Sequence, residues 1–200
     1  MYELDTKVMK PWFAIYNESY LQRVIEYNSL TLNVLLYYAA YSGRLNVLKY
    51  LTKNYELDKT TPHLLDMAAW QGNLDVFMYL SSMEFNGCTY RAMELAAASG
   101  RFDMVKYLNE NKNEGCSSKV IDAAAAAGAI DVVRYLHLCG KEATTRAVDG
   151  AAAMGHLEII KFLLNARTEG FTKKATLSAK YYGHIDVVEY LDQYAQSTAA

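Results

Sequence analysis

Cysteine is scarce in this 200-residue chain: Cys88, Cys116 and Cys139 are an odd number and too few for a disulfide framework. A reducing, intracellular and cytoplasmic setting is therefore expected, with the nucleus left open. Long apolar runs are missing as well. No stretch approaches the roughly 18 residues a membrane-spanning helix needs, and the start, MYELDTKVMKPWF, lacks the basic-then-apolar order of a secretory signal. Neither charge sign dominates, since 20 Lys+Arg face 22 Asp+Glu for a net charge of −2. That balance gives no global reason to expect nucleic acid or an anionic membrane as partner. Also absent are C-x-x-C, H-E-x-x-H, G-x-S-x-G and a phosphate-cradling glycine loop. No catalytic, cofactor or metal-binding residue is assigned, and no enzyme is expected.

What the chain has instead is a phrase repeated six times: AAYSGRLNVLKYL, AAWQGNLDVFMYL, AAASGRFDMVKYL, AAAAGAIDVVRYL, AAAMGHLEIIKFL and AKYYGHIDVVEYL. Its glycines, Gly43, Gly72, Gly100, Gly128, Gly155 and Gly183, follow one another at 29, 28, 28, 27 and 28 residues. A fixed period in this range marks stacked repeats, each touching only its neighbours, rather than a domain around one core. In the unit from Thr89 to Gly115, Thr89 suits an N-cap and Tyr90–Ser99 a short helix whose Ala92, Met93, Ala96 and Ala97 share one face. Gly100 stops that helix. Asp103 opens a second one, with Met104, Val105, Tyr107 and Leu108 as its buried stripe. The run NENKNEG reads as the polar connection to the next unit. The small pairs Ala96–Ala97, Ala124–Ala125 and Ala151–Ala152 fall where inner helices of neighbouring units must approach closely.

AAxxGHLExxxxLL with short paired helices resembles the ankyrin repeat, and Gly155-His156-Leu157-Glu158 and Gly183-His184-Ile185-Asp186 match its turn. The resemblance covers roughly residues 31–198. It implies an all-α, ankyrin-type solenoid of six stacked helix-turn-helix units (31–59, 60–88, 89–116, 117–143, 144–171 and 172–198). Units of about 28 residues are shorter than the 33 of the ankyrin pattern with its T-P-L-H-x-A signature, which only Thr61-Pro62-His63-Leu64 approaches, in shifted register. The residues lost fall where ankyrins carry a β-hairpin finger, so shortened or absent fingers are expected. Such short units resemble those of protist and giant-virus ankyrin proteins. Residues 1–30 read as an N-terminal helical cap or degenerate repeat, with Pro11 at a first helical position and Trp12–Tyr27 as an amphipathic helix. The closing Gln-Ser-Thr-Ala-Ala is expected to fray.

Stacking turns each repeat position into a column. A basic column, His63, Arg91, Lys119, Arg146 and Lys174, is followed three residues later by Asp66, Glu94, Asp122 and Asp149. The two sets could form a structural charge ladder at i, i+3, or the cations could bind an acidic or phosphate-bearing ligand. Leu177 replaces the acid in the last unit, which leaves Lys173 and Lys174 as the expected free cations. The pair before each glycine includes Tyr41, Trp70–Gln71, Ser99, Met154 and Tyr181–Tyr182. In ankyrins this pair borders the concave face, and Trp and Tyr suit interface hot spots. Alternatively, the terminal aromatics simply cover the ends of the stack. Tyr50, Tyr79, Tyr107, Tyr135, Phe162 and Tyr190 are expected to stack as an aromatic spine. Asp103–Lys106, Asp131–Arg134 and Glu158–Lys161 read as a solvated outer face. His156 and His184 are expected to hydrogen-bond locally in their turns. Cys88 and Cys116 lie one repeat apart, at least roughly 8–10 Å, too far to share a zinc ion.

The resemblance implies a module that binds a partner protein through its concave inner-helix face, expected as a monomer, with no membrane partner. A structural spacer or self-associating domain is the alternative, and anion or nucleic-acid binding through the basic column a weaker one.

Overall fold

The computed structural model describes residues 32–86, 88–111, 117 and 119–198. The cap expected over residues 1–30 lies outside the described residues, as do Gly87, Gly115 and Cys116. Twelve helices are present among the described residues, in six consecutive pairs: α1 (Leu32–Ser42) and α2 (Leu45–Asn54), α3 (Leu64–Gln71) and α4 (Leu74–Ser82), α5 (Tyr90–Ala98) and α6 (Phe102–Asn111), α7 (Val120–Ala126) and α8 (Ile130–Leu138), α9 (Thr145–Ala153) and α10 (Leu157–Ala166), α11 (Lys173–Tyr182) and α12 (Ile185–Thr198). The described linkers between pairs hold no strand. The fold is an all-α stacked-repeat array, and no β-hairpin finger is present among the described residues.

The local sequence explains each pair. Thr89, Thr144 and Thr172 cap α5, α9 and α11, each hydroxyl accepting a hydrogen bond from the amide two residues on at 3.1–3.2 Å. The turn glycines then take left-handed conformations, with φ between +65° and +80°. The outer helices bury one apolar stripe each, such as Val76, Phe77 and Leu80 on α4. On the inner helices the alanine pairs Ala39–Ala40, Ala68–Ala69, Ala96–Ala97, Ala124–Ala125 and Ala151–Ala152 are fully buried. Consecutive inner helices touch broadly while outer helices touch one another sparingly. Methyl-sized side chains permit this, since short side chains bring helix axes to the low end of their packing distance.

Two expectations about the connections change. Asn109, Glu110 and Asn111 are not loop but the last turn of α6, where Asn111 Nδ2 donates to the Tyr107 carbonyl at 2.9 Å. At the other end, α12 continues through Gln196, Ser197 and Thr198. The hydroxyls of Ser197 and Thr198 donate to the Tyr194 carbonyl at 2.8 and 3.0 Å.

Candidate partner-binding face

The acidic column supplies the first departure from the sequence reading. Asp66, Glu94, Asp122 and Asp149 reach across the seam to the hydroxyl residue that caps the next unit. Asp66 accepts from the Thr89 amide and hydroxyl, both at 2.9 Å. Asp122 accepts from Thr144 N at 2.9 Å and Oγ1 at 2.6 Å, and Asp149 from Thr172 N at 2.8 Å and Oγ1 at 2.7 Å. Glu94, one methylene longer, accepts from the Ser117 hydroxyl. Each carboxylate thus satisfies donors at a helix start that would otherwise be orphaned. Sequence reasoning missed this ladder, although its signal was present: Thr61, Thr89, Ser117, Thr144 and Thr172 all stand eleven residues before a turn glycine.

The expected ladder of i, i+3 charge pairs is correspondingly incomplete. Only His63 meets its acid, with Nδ1 at 2.9 Å from Asp66 Oδ2. Among the described residues no ion pair engages Arg91, Lys119, Arg146, Lys173 or Lys174, and all five are exposed. The free cations therefore begin at Arg91 and are not confined to Lys173 and Lys174.

Each cation of the column stands nine residues before its glycine, and the first residue of the variable pair stands two before it. Seven residues are nearly two helical turns, so both lie on one face of the inner helix, separated by about 10 Å along its axis. That face reads Arg91 and Ala98 on α5, Lys119 and Ala126 at α7, Arg146 and Ala153 on α9, and Lys174 and Tyr181 on α11. On α3, Trp70 takes the aromatic position and is 39% exposed.

Tyr41 and Trp70 meet edge-to-face at 5.9 Å, with Tyr41 half-buried. Tyr181 and Tyr182 meet edge-to-face at 5.0 Å and stay 82% and 61% exposed. Four repeat steps of roughly 8–10 Å separate the two aromatic pairs; the fold does not bring them together, and small side chains lie between. Gln71 and Ser99 are half-buried at the C-terminal ends of α3 and α5, and Met154 projects from the end of α9, 59% exposed. In the last unit, Leu177 and Lys180 are both exposed. They stand where earlier units place the cross-seam acid and a buried alanine.

Two further columns differ from expectation. The turn histidines act across the seam: His184 Nε2 lies 3.2 Å from the Ala153 carbonyl of the preceding unit. Asn73 does the same, Nδ2 donating to the carbonyls of Ala40 and Tyr41 at 2.9 and 3.0 Å. These side chains lie over the previous turn glycine, so a Cβ on Gly128 would stand 2.6 Å from the His156 ring and one on Gly155 would stand 2.6 Å from His184. Among the described residues, members of the aromatic column meet rings outside the column. Phe77 meets Tyr107, Phe102 meets Tyr135 and His137 meets Phe162, each edge-to-face at 5.5–5.8 Å. Lys49, Arg134 and Lys161 lie over the next unit's Tyr79, Phe162 and Tyr190 at 5.6–5.9 Å. On the outer surface, Lys161 pairs with Glu158 at 3.5 Å. Cys88 is half-buried against the core.

No helix among the described residues is long and apolar enough to cross a membrane. No curated protein matches the chain. Residues 36–122 match the family model described as ankyrin repeats in three copies, and ankyrin repeats generally serve as protein–protein interaction modules. The paired helices and left-handed glycine turns continue unchanged to α12: residues 36–122 are ankyrin repeats, and the units that follow share their architecture.

Proposed function

We propose that the chain captures a partner protein across its inner-helix face, acting as a binding module and not as an enzyme, in the cytoplasm and as a monomer. The observation that carries this reading is the exposed stripe shared by the inner helices, with aromatic side chains at its two ends and alanines between. Broad contact between inner helices and sparse contact between outer ones shortens the inner side of the stack. A stack shortened on one side curves toward it, which makes the stripe concave. A preformed surface of this kind spares one partner most of the cost of ordering. Trp70, Tyr181 and Tyr182 supply large rigid area for contact, Tyr41 buttresses Trp70, Lys173 and Lys174 add charge, and Gln71, Ser99 and Met154 line the edge.

The test is capture from native cells, with bound proteins identified by mass spectrometry. Replacing Trp70 and Tyr181 with alanine should weaken capture by roughly tenfold or more while far-UV circular dichroism stays unchanged. Undiminished capture by the double variant would refute the assignment. Leu177, 66% exposed, and Ile185, 70% exposed, favour one second reading, self-association through the last unit. Sedimentation that changes with concentration would support it.

A further inference from the structure

Resting on that reading, we infer that the partner presents an extended acidic segment, with a carboxylate at every third residue, to the row Arg91, Lys119, Arg146 and Lys174. The cross-seam ladder explains why the row is available. Asp122 is buried and Glu94 and Asp149 are half-buried at the seams, each engaged by hydroxyl or amide donors of the next unit. The cations at i−3 remain exposed without an ion pair among the described residues. Their position also runs against local preference. Arg91, Arg146 and Lys174 fall in the first turn of α5, α9 and α11 and Lys119 at the cap of α7, where the helix dipole favours acids. A residue type placed against local preference four times over is expected where function requires it.

Spacing identifies the ligand. Cations one repeat apart are separated by the inter-helix distance, roughly 8–10 Å. A chain in the extended polyproline II form has three residues per turn and rises about 3.1 Å per residue, so every third side chain returns to the same face after about 9 Å. Ala98, Ala126 and Ala153 leave room beside the row for a backbone to lie across the helices. One cation per roughly 10 Å is too sparse for nucleic acid, which carries a charge about every 1.7 Å along a duplex. A peptide with intermittent acids is the better electrostatic match.

The experiment uses fluorescein-labelled peptides of about 15 residues, long enough for four carboxylates at this spacing. One carries glutamate at every third position among alanine and serine. A second has the same composition with its glutamates in one block, and a single-stranded oligothymidylate of equal length is the third probe. Anisotropy titrations should show the spaced peptide binding roughly tenfold tighter than the block peptide. Arg91→Glu with Arg146→Glu should abolish that binding, and a spaced peptide in which alternate glutamates are replaced by lysine, to match the remaining Lys119 and Lys174, should bind the reversed variant. Glutamate suits both helix starts, so the variant keeps its helicity. Equal binding of the two peptides, binding unaffected by charge reversal, no peptide binding, or tighter binding of the oligonucleotide would each overturn the inference. If the reversed variant still captures the native partner while the Trp70/Tyr181 variant does not, the face stands and the acidic segment falls.

Discussion

Replacing Asp122 with alanine tests how much the repeats depend on one another. Asp122 is buried at the α7–α9 seam and is the acceptor for both Thr144 N and Thr144 Oγ1. A hydrogen bond to a charged group contributes about 1.5–3 kcal/mol net, and a buried donor left unpaired costs about 1–3 kcal/mol. Thr144 keeps its capping bond to Arg146 N, and water can reach the half-buried threonine, so a loss of about 3 kcal/mol is expected, at the low end of the sum. For an array of this size, that lowers the melting temperature by roughly 6–12 °C. Nearest-neighbour coupling makes the loss local first. Hydrogen exchange in α9, α10, α11 and α12 should therefore speed up more than in α3 and α4, while urea unfolding by circular dichroism reports the total. Asp131→Ala, at an exposed acid on α8, is the control and should change stability by less than about 0.5 kcal/mol. A double-mutant cycle with Thr144→Val should return a coupling of about 1 kcal/mol or more. If Asp122→Ala behaves like Asp131→Ala, or the cycle shows no coupling, the carboxylate ladder does not hold the repeats together.

The turn glycines make a second test. Gly128→Ala places a Cβ in a left-handed conformation, at φ +78°, and 2.6 Å from the His156 ring, whereas Gly140→Ala meets a similar φ of +69° with nothing within 4 Å. Gly140→Ala should cost about 1–2 kcal/mol for the backbone alone, and Gly128→Ala measurably more, with the excess removed when His156 is also alanine; equal costs would show that the ring yields freely. A third concerns pH. Hydrogen bonds from Arg167, between 2.6 and 3.1 Å, hold the Glu169 carboxyl below its ordinary value of 4.5. The folded state thus favours the ionised form, so its contribution is complete above pH 4.5 and is lost as the pH falls through the lower folded value. Glu169→Gln should destabilise the chain at neutral pH and lose its effect in acid, and a cost independent of pH would refute the pairing.

The sequence by itself determined the architecture. Regular glycines, alanine pairs and a closing aromatic-leucine dictate helix pairs that cannot bury their apolar faces alone, which is a local and periodic property. Thr89 as a cap and Gly100 as a left-handed stop were legible for the same reason, because each acts within a few residues of itself. Interactions across the seam were less legible. In the sequence Asp122 stands three residues from Lys119 and 22 from Thr144, and only the stacking of α7 on α9 makes the distant hydroxyl the nearer partner. The same geometry turned His184 and Asn73 from turn residues into cross-seam donors, and it set cations over the rings of the next unit's outer helix. It also decided that Arg91, Lys119 and Arg146 stay free, since their presumed acids are engaged elsewhere. Periodicity announces which residues form columns; which columns pair with each other depends on how one helix pair sits on the next, and that is fixed only when the repeats are packed.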